Sequence, residues 1–149
     1  MDLNTDFRDM LLALNDFDAK YLVVGAYAVA VHGHPRATGD LDIWVMTSGD
    51  NSSKVFMALK SFGAPIHEIT ESDFATPSIV FQIGVPPSRI DILTVISGVS
   101  FEDAWETRVI VTVDGIDIPV IGRTNLIRNK RATGRPKDLA DIDAISQED

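Results

Sequence analysis

Apolar residues near the start of the chain recur at three- and four-residue intervals. Phe7, Met10, Leu11, Leu14 and Phe17 form one stripe, which predicts an amphipathic helix over about residues 5–18. The run YLVVG at residues 21–25 is continuous rather than periodic and predicts a short buried strand ending at a glycine. AYAVAVHG then predicts a helix whose small side chains permit close packing on a sheet, and DLDIWVM, residues 40–46, predicts a second strand. SGDNSSKVFMALKSFG reads as a polar loop leading into a helix capped by Asn51, Ser52 or Ser53 and stopped at Gly63.

Farther along, PSIVFQIGV and RIDILTV flank the turn PPS and predict two adjacent strands. SFEDAWETR offers a capped helix start, with Ser100 and Asp103 three residues apart and Phe101, Ala104 and Trp105 on one side. β-branched residues alternate on both sides of Asp114-Gly115 in RVIVTVDGIDIPVIG, the pattern of a tight hairpin. Two helices, broken near Gly134 and Pro136, complete the pattern. Hairpins combined with a crossover predict an α+β (mixed α/β) protein with a mixed central sheet flanked by helices.

A chain of 149 residues with 45% hydrophobic content suits one domain with a real core, and no repeat or linker divides it. The formal net charge of −9 argues against broad electrostatic holding of long nucleic acid, although a tRNA end stays compatible with it. There is no cysteine, so disulfide frameworks, thiolate chemistry and cysteine-based zinc sites are excluded. The acidic N-terminal stretch lacks the basic start of a signal peptide, and no apolar run is long enough to span a bilayer; a cytoplasmic protein without membrane attachment is expected.

Candidate chemistry begins with GDLDIWV. On a strand, Asp40 and Asp42 project to one side, and two crowded carboxylates call for a cation, with oxygen ligands suiting a hard ion such as magnesium. Asp91 stands in the middle of an otherwise apolar strand, where burial disfavours it. If the two strands are neighbours, three carboxylates converge, enough to hold two divalent ions about 3.5–4 Å apart for displacement at phosphorus. The opposing expectation is an edge strand with Asp91 in solvent or paired with Arg89. Gly25, lacking a Cβ at a strand-to-helix turn, would let a phosphate approach the backbone at a helix start. Arg36, four residues before Asp40, could compensate charge at the same edge. His32 and His34 form a His-x-His whose imidazoles need not converge, and His67 has no supporting context. Trp44 and Tyr27 could touch a nucleotide or simply cover the sheet.

VGAYAVAVHGHPRATGDLDIWV, Asp91 in RIDILT and NKRATGRPKDLADI, spanning about residues 21–143, together resemble the minimal nucleotidyltransferases of the DNA polymerase β superfamily. The resemblance is greatest to the abortive-infection toxin-type group and its short relatives. It implies a single nucleotidyltransferase-like domain over residues 1–149, with Gly25 as the phosphate-loop glycine and Asp40 and Asp42 as metal ligands. Asp91 would be the third carboxylate, ligating metal or activating the acceptor hydroxyl. The late pattern of Lys130, Arg135, Lys137 and Asp138 matches that group as well, implying that Lys130 contacts phosphates and Asp138 orients basic groups; spacing alone favours a solvated helix with Lys/Asp pairs. Ala26 departs from the family's glycine or serine, leaving only its backbone N–H for phosphate.

The resemblance thus implies an Mg2+- or Mn2+-dependent enzyme that moves a nucleoside monophosphate from an NTP to a hydroxyl and releases pyrophosphate. Acceptors in the superfamily include tRNA ends, proteins and small molecules, and selection could come from a partner protein or a second subunit of a homo-oligomer. Two alternatives remain at this point: a non-catalytic nucleotide-binding or interaction protein, as in a toxin–antitoxin-like pair, and a phosphohydrolase using the same acids with water as nucleophile.

Overall fold

The Asp114-Gly115 turn shows how directly local sequence is translated into structure. Both residues have positive φ, 53° and 78°, the conformation a two-residue hairpin demands, and they join β5 (Val109–Val113) to β6 (Ile116–Val120) in antiparallel register. The second expected hairpin also forms, pairing β3 (Val80–Ile83) with β4 (Ile90–Leu93). The computed structural model describes residues 3–33 and 39–146.

Between the hairpins lie β1 (Tyr21–Val24) and β2 (Leu41–Val45), giving a six-stranded sheet ordered β3-β4-β2-β1-β6-β5. β1 runs antiparallel to β2, whereas β1/β6 and β2/β4 are parallel. The architecture is therefore the mixed α/β arrangement expected from the pattern. β1 and β2 occupy the centre of the sheet and are almost wholly buried, consistent with their continuous apolar runs.

Helices cover the sheet: α1 (Thr5–Asp16), α2 (Gly25–Val31), α3 (Gly49–Phe62), α4 (Phe101–Glu106), α5 (Arg123–Thr133) and α6 (Pro136–Ser146). The α1 stripe is buried at Phe7, Met10, Leu11 and Leu14, while Phe17 caps the helix and packs partly buried on the core. Phe7 meets the ring of Tyr27 on α2 edge-on at 5.7 Å. Alternation along β2 places Trp44 on the face shared with Asp42, and the Trp44 ring meets Phe101 of α4 edge-on at 5.0 Å. Trp44 is a core residue, not a base-stacking platform. Ser100 caps α4 as expected, its hydroxyl accepting from the Asp103 N–H, and Gly134 ends α5 with a φ of 63°.

The start of α3 differs from the expectation. Ser48 is the N-cap, accepting from the Asn51 N–H at 3.2 Å, so the helix begins upstream of the Asn51–Ser53 cluster. The physical reason is that Asn51 has another task. Its carboxamide accepts from the Lys20 N–H at 2.7 Å and donates to the Lys20 and Met46 carbonyls at 3.0 and 2.9 Å, joining the flanks of β1 and β2 to α3. Gly63 stops the helix in the left-handed region, as the sequence predicts. Asn51→Ala strips the Lys20 and Met46 backbone groups of these partners, and unfolding in urea should show a loss of about 2 kcal/mol. A loss below about 0.5 kcal/mol would remove the clamp from this account.

Candidate active site

Parallel pairing of β2 with β4 sets Asp42 directly opposite Asp91. β4 is an interior strand with β3 outside it, so Asp91 is buried rather than exposed at a sheet edge. Asp40 lies just before β2. Gly25, the first residue of α2, follows Val24, the β1 partner of Asp42. Its φ is +69°, and a Cβ there would collide with the Asp42 carboxylate. Glycine is thus required twice over at this point, by backbone conformation and by the approach of an acid.

Crowding shows in the electrostatics. Asp42 is pushed up from 3.8 to about 6, first by burial, then by the charges of Asp91 and Asp40 and by a hydrogen bond shared with Asp91, with Arg89 partly offsetting them. Arg89 is the local cation. Its Nη2 lies 2.6 Å from Asp40 Oδ2 and 3.2 Å from Asp91 Oδ2, and its Nε lies 3.0 Å from Asp91 Oδ1. The last pair is close without the alignment of a hydrogen bond, leaving both buried atoms without a hydrogen-bonding partner. Among the described residues, no three acidic or histidine side chains form a ready-made metal cage. The donor set nevertheless suits a hard divalent ion: Asp42 and Asp91 face each other across β2 and β4, Asp40 stands two residues before Asp42, and one buried Asp91 oxygen has no hydrogen-bond donor.

A cleft of about 540 Å3 opens in front of these acids. Gly25, Ala26, Asp40 and Asp42 contribute to its lining together with Lys130, Arg135 and Lys137 from the α5–α6 region. Neither Asp91 nor Arg89 is in the lining; Asp91 lies beside Asp42 on the neighbouring strand. Within α5–α6, Asp138 is fully buried and accepts from Thr133 Oγ1 at 2.7 Å, Arg135 Nε at 2.7 Å and the Arg135 backbone N–H at 3.2 Å. Burial alone would raise its pKa; these hydrogen bonds and the Lys130 charge outweigh that and hold it well below the usual carboxylate range. Lys130 Nζ stands 3.4 Å from Asp138 and 3.1 Å from Asp141. The expectation of a solvated tail helix is therefore incorrect: Lys130, Asp138 and Asp141 are all buried, because α5 and α6 fold against each other around this ion-pair network.

The remaining expectations divide cleanly. Arg36 and His34 lie outside the described residues. His32 contacts the Ile121 carbonyl at 2.7 Å through Nε2, a structural link between α2 and the end of β6. His67 is exposed, and Tyr27 is buried in the core. Sequence reasoning missed Asp141 and Thr133, whose only signal is their spacing around Asp138, and it treated Arg89 as a partner of Asp91 alone.

Solved structures similar in architecture to this chain include nucleotidyltransferases and a protein likened to them. Lincosamide antibiotic adenylyltransferase LnuA, solved with lincomycin bound, superposes with a TM-score of 0.63 at 16% identity over 97% of each chain. A presumed nucleotidyltransferase from Thermotoga maritima gives 0.62 at 16% identity, over 91% of this chain and 87% of its own. An antigenic nucleotidyltransferase-like protein from Paracoccidioides brasiliensis gives 0.53 at 17% identity, over 94% of this chain and 74% of its own. No protein-family model and no curated protein sequence matches the chain. The chain has a nucleotidyltransferase-like fold.

Two outcomes test this geometry. A carboxyl held at about 6 against an ordinary 3.8 binds its proton more tightly in the folded than in the unfolded state. Its contribution to stability therefore falls as pH rises through that interval and levels above it. Metal-free Asp42→Asn should lose this decline, gaining on the wild type in urea unfolding at pH 7.5 relative to pH 4; parallel pH profiles would contradict the crowding. Gly25→Ala should lower stability by at least about 1–3 kcal/mol from backbone strain alone, read as a reduced Tm.

Proposed function

We propose that this protein is a divalent-metal-dependent nucleotidyltransferase, moving a nucleoside monophosphate from an NTP to a hydroxyl of an acceptor. The observation that carries the reading is one cleft lined both by Asp40 and Asp42 and by Lys130, Arg135 and Lys137. Acids suited to metal and bases suited to triphosphate are what phosphoryl chemistry asks of a site. The reaction forms a bond from the acceptor oxygen to the α-phosphorus and breaks the bond from that phosphorus to the pyrophosphate oxygen; the hydroxyl proton leaves to a base.

Asp40 and Asp42 would hold Mg2+ or Mn2+, and Asp91 would complete the ligand set or receive the proton. A bound ion of this kind supplies charge neutralisation of the phosphate oxygens. Gly25 keeps the turn open beside Asp42, and the Ala26 methyl leaves only backbone donors there. Arg135 is well placed to grip a phosphate, since Asp138 fixes its guanidinium while much of the side chain stays exposed. Lys130 is buried between Asp138 and Asp141 and contributes positive charge to the cleft wall. A small-molecule acceptor is supported by the lincomycin-bound neighbour, 97% of whose chain this chain covers; a tRNA end or a protein side chain are the other classes. The toxin-type affinity and a cytoplasmic setting stay part of this proposal.

A specific observation favours a second reading, a nucleotide-binding or interaction protein without catalysis. Arg89 already bridges the acids that would hold metal. Calorimetric titration with each NTP, with and without Mg2+, and assay of pyrophosphate release with candidate acceptors separate the two. The transferase reading predicts Mg2+-dependent binding to at least one NTP, lost in Asp40→Ala/Asp42→Ala, together with acceptor-dependent pyrophosphate release. Binding without release under any acceptor favours the second reading, and no NTP binding contradicts the first. Arg135→Ala should weaken NTP binding about ten-fold or more while leaving nucleoside binding unchanged.

A further inference from the structure

The crowded acids on β2 and β4 are held by an internal cation. Arg89 is two residues before Asp91, so alternation along the strand returns its side chain to the face of Asp91, and β2/β4 pairing brings Asp40 within reach of the same guanidinium. One nitrogen, Nη2, serves both Asp40 and Asp91.

This grip differs from the contact between Arg135 and the buried Asp138. Asp138 is met by aligned donors from Arg135, Thr133 and the backbone, which together satisfy its carboxylate. At Asp91, by contrast, Arg89 Nε and Oδ1 sit 3.0 Å apart, buried and misaligned. Coulomb attraction holds the pair, while the hydrogen-bonding capacity of the Oδ1 atom goes unused. A small divalent ion with its coordination sphere could use that oxygen and the Asp40 oxygen together. Because 29% of the Arg89 side chain is exposed, the guanidinium also has a way out toward solvent.

We propose that Arg89 is an internal cation lock: its guanidinium fills the space between Asp40 and Asp91 and must withdraw before these carboxylates hold a divalent ion. This inference rests on the metal-dependent transferase reading. It accounts for the lack of a ready-made metal cage among the described residues despite three converging acids. Arg89 is here a positioning residue that sets the metal affinity of the site through Asp40 and Asp91.

The experiment is Mn2+ titration of the nucleotide-free wild type, Arg89→Lys and Arg89→Met, by calorimetry and by the electron paramagnetic resonance signal of free Mn2+. A site whose competent state is a minor population binds weaker by that fraction, so a lock closed about ten to one predicts about ten-fold tighter Mn2+ binding in Arg89→Met. Arg89→Lys should also bind more tightly than wild type despite its equal charge, because an ammonium cannot fork across two carboxylates as a guanidinium does. Without metal, Arg89→Met should melt below wild type, and Mn2+ should raise its Tm by more than it raises the wild type's.

Wild-type affinity in Arg89→Lys with tightening only in Arg89→Met would reduce the effect to net charge and overturn the lock. Unchanged or weaker binding in both variants would overturn it while leaving the metal-dependent reading intact. If no form binds Mn2+, the lock falls, and the transferase reading is decided by the NTP titration. Should Arg89→Met not fold, the Arg89→Lys titration alone decides.

Discussion

Two aspartates face each other across a pair of parallel strands at the buried centre of a sheet, with a third just ahead of them. Asp42 and Asp91 are in direct register, and Asp40 stands two residues before Asp42. Like charges so placed in a low-dielectric setting cannot all remain ionised without compensation. Much of the local structure can be understood as an answer to that constraint. Asp42 is pushed up to about 6 by burial and by the charges of Asp91 and Asp40. Arg89 spans Asp40 and Asp91, and Gly25 gives up a side chain so that the Asp42 carboxylate has room.

The other wall of the cleft solves its own electrostatic problem differently. Asp138 and Asp141 are buried, but their charges are met within α5 and α6 by Lys130, and Asp138 also by Arg135 and Thr133. Breaking one member of such a buried network leaves a charge uncompensated, so the network fixes the α5–α6 geometry as well as its charge. The cleft therefore sits between an acid cluster in want of cations and a satisfied network that presents Arg135 outward. A triphosphate with its divalent ion carries the charges that this asymmetry lacks.

The fold was largely legible because its signals are local. Asp114-Gly115 between alternating β-branched residues specified a hairpin, and the apolar runs of β1 and β2 specified buried strands. Asp91 could be singled out as an acid in an apolar strand, but its register against Asp42 depends on pairing between segments far apart in the chain. Asn51 misled the reading of α3 because a good capping residue was taken up by a long-range task, tying Lys20 to Met46. The same limit applies to the tail. By spacing alone Lys130 and Asp138 read as solvated charges, and Asp141 gave no further signal, since their burial arises from the packing of α5 on α6 that spacing does not encode. Arg89 was read as one partner for one acid, and only the sheet reveals that it spans two.

The nucleotidyltransferase-like fold supplies the framework, and the charges along the cleft carry the proposal of what the framework does. The most direct test is anomalous diffraction from crystals grown with Mn2+ and a non-hydrolysable NTP analogue. The account predicts manganese density among the Asp40, Asp42 and Asp91 carboxylates, Arg89 withdrawn from them, and the triphosphate directed toward Arg135. Manganese absent from this edge with Arg89 still bridging Asp40 and Asp91, or a nucleotide seated outside the cleft, would contradict it.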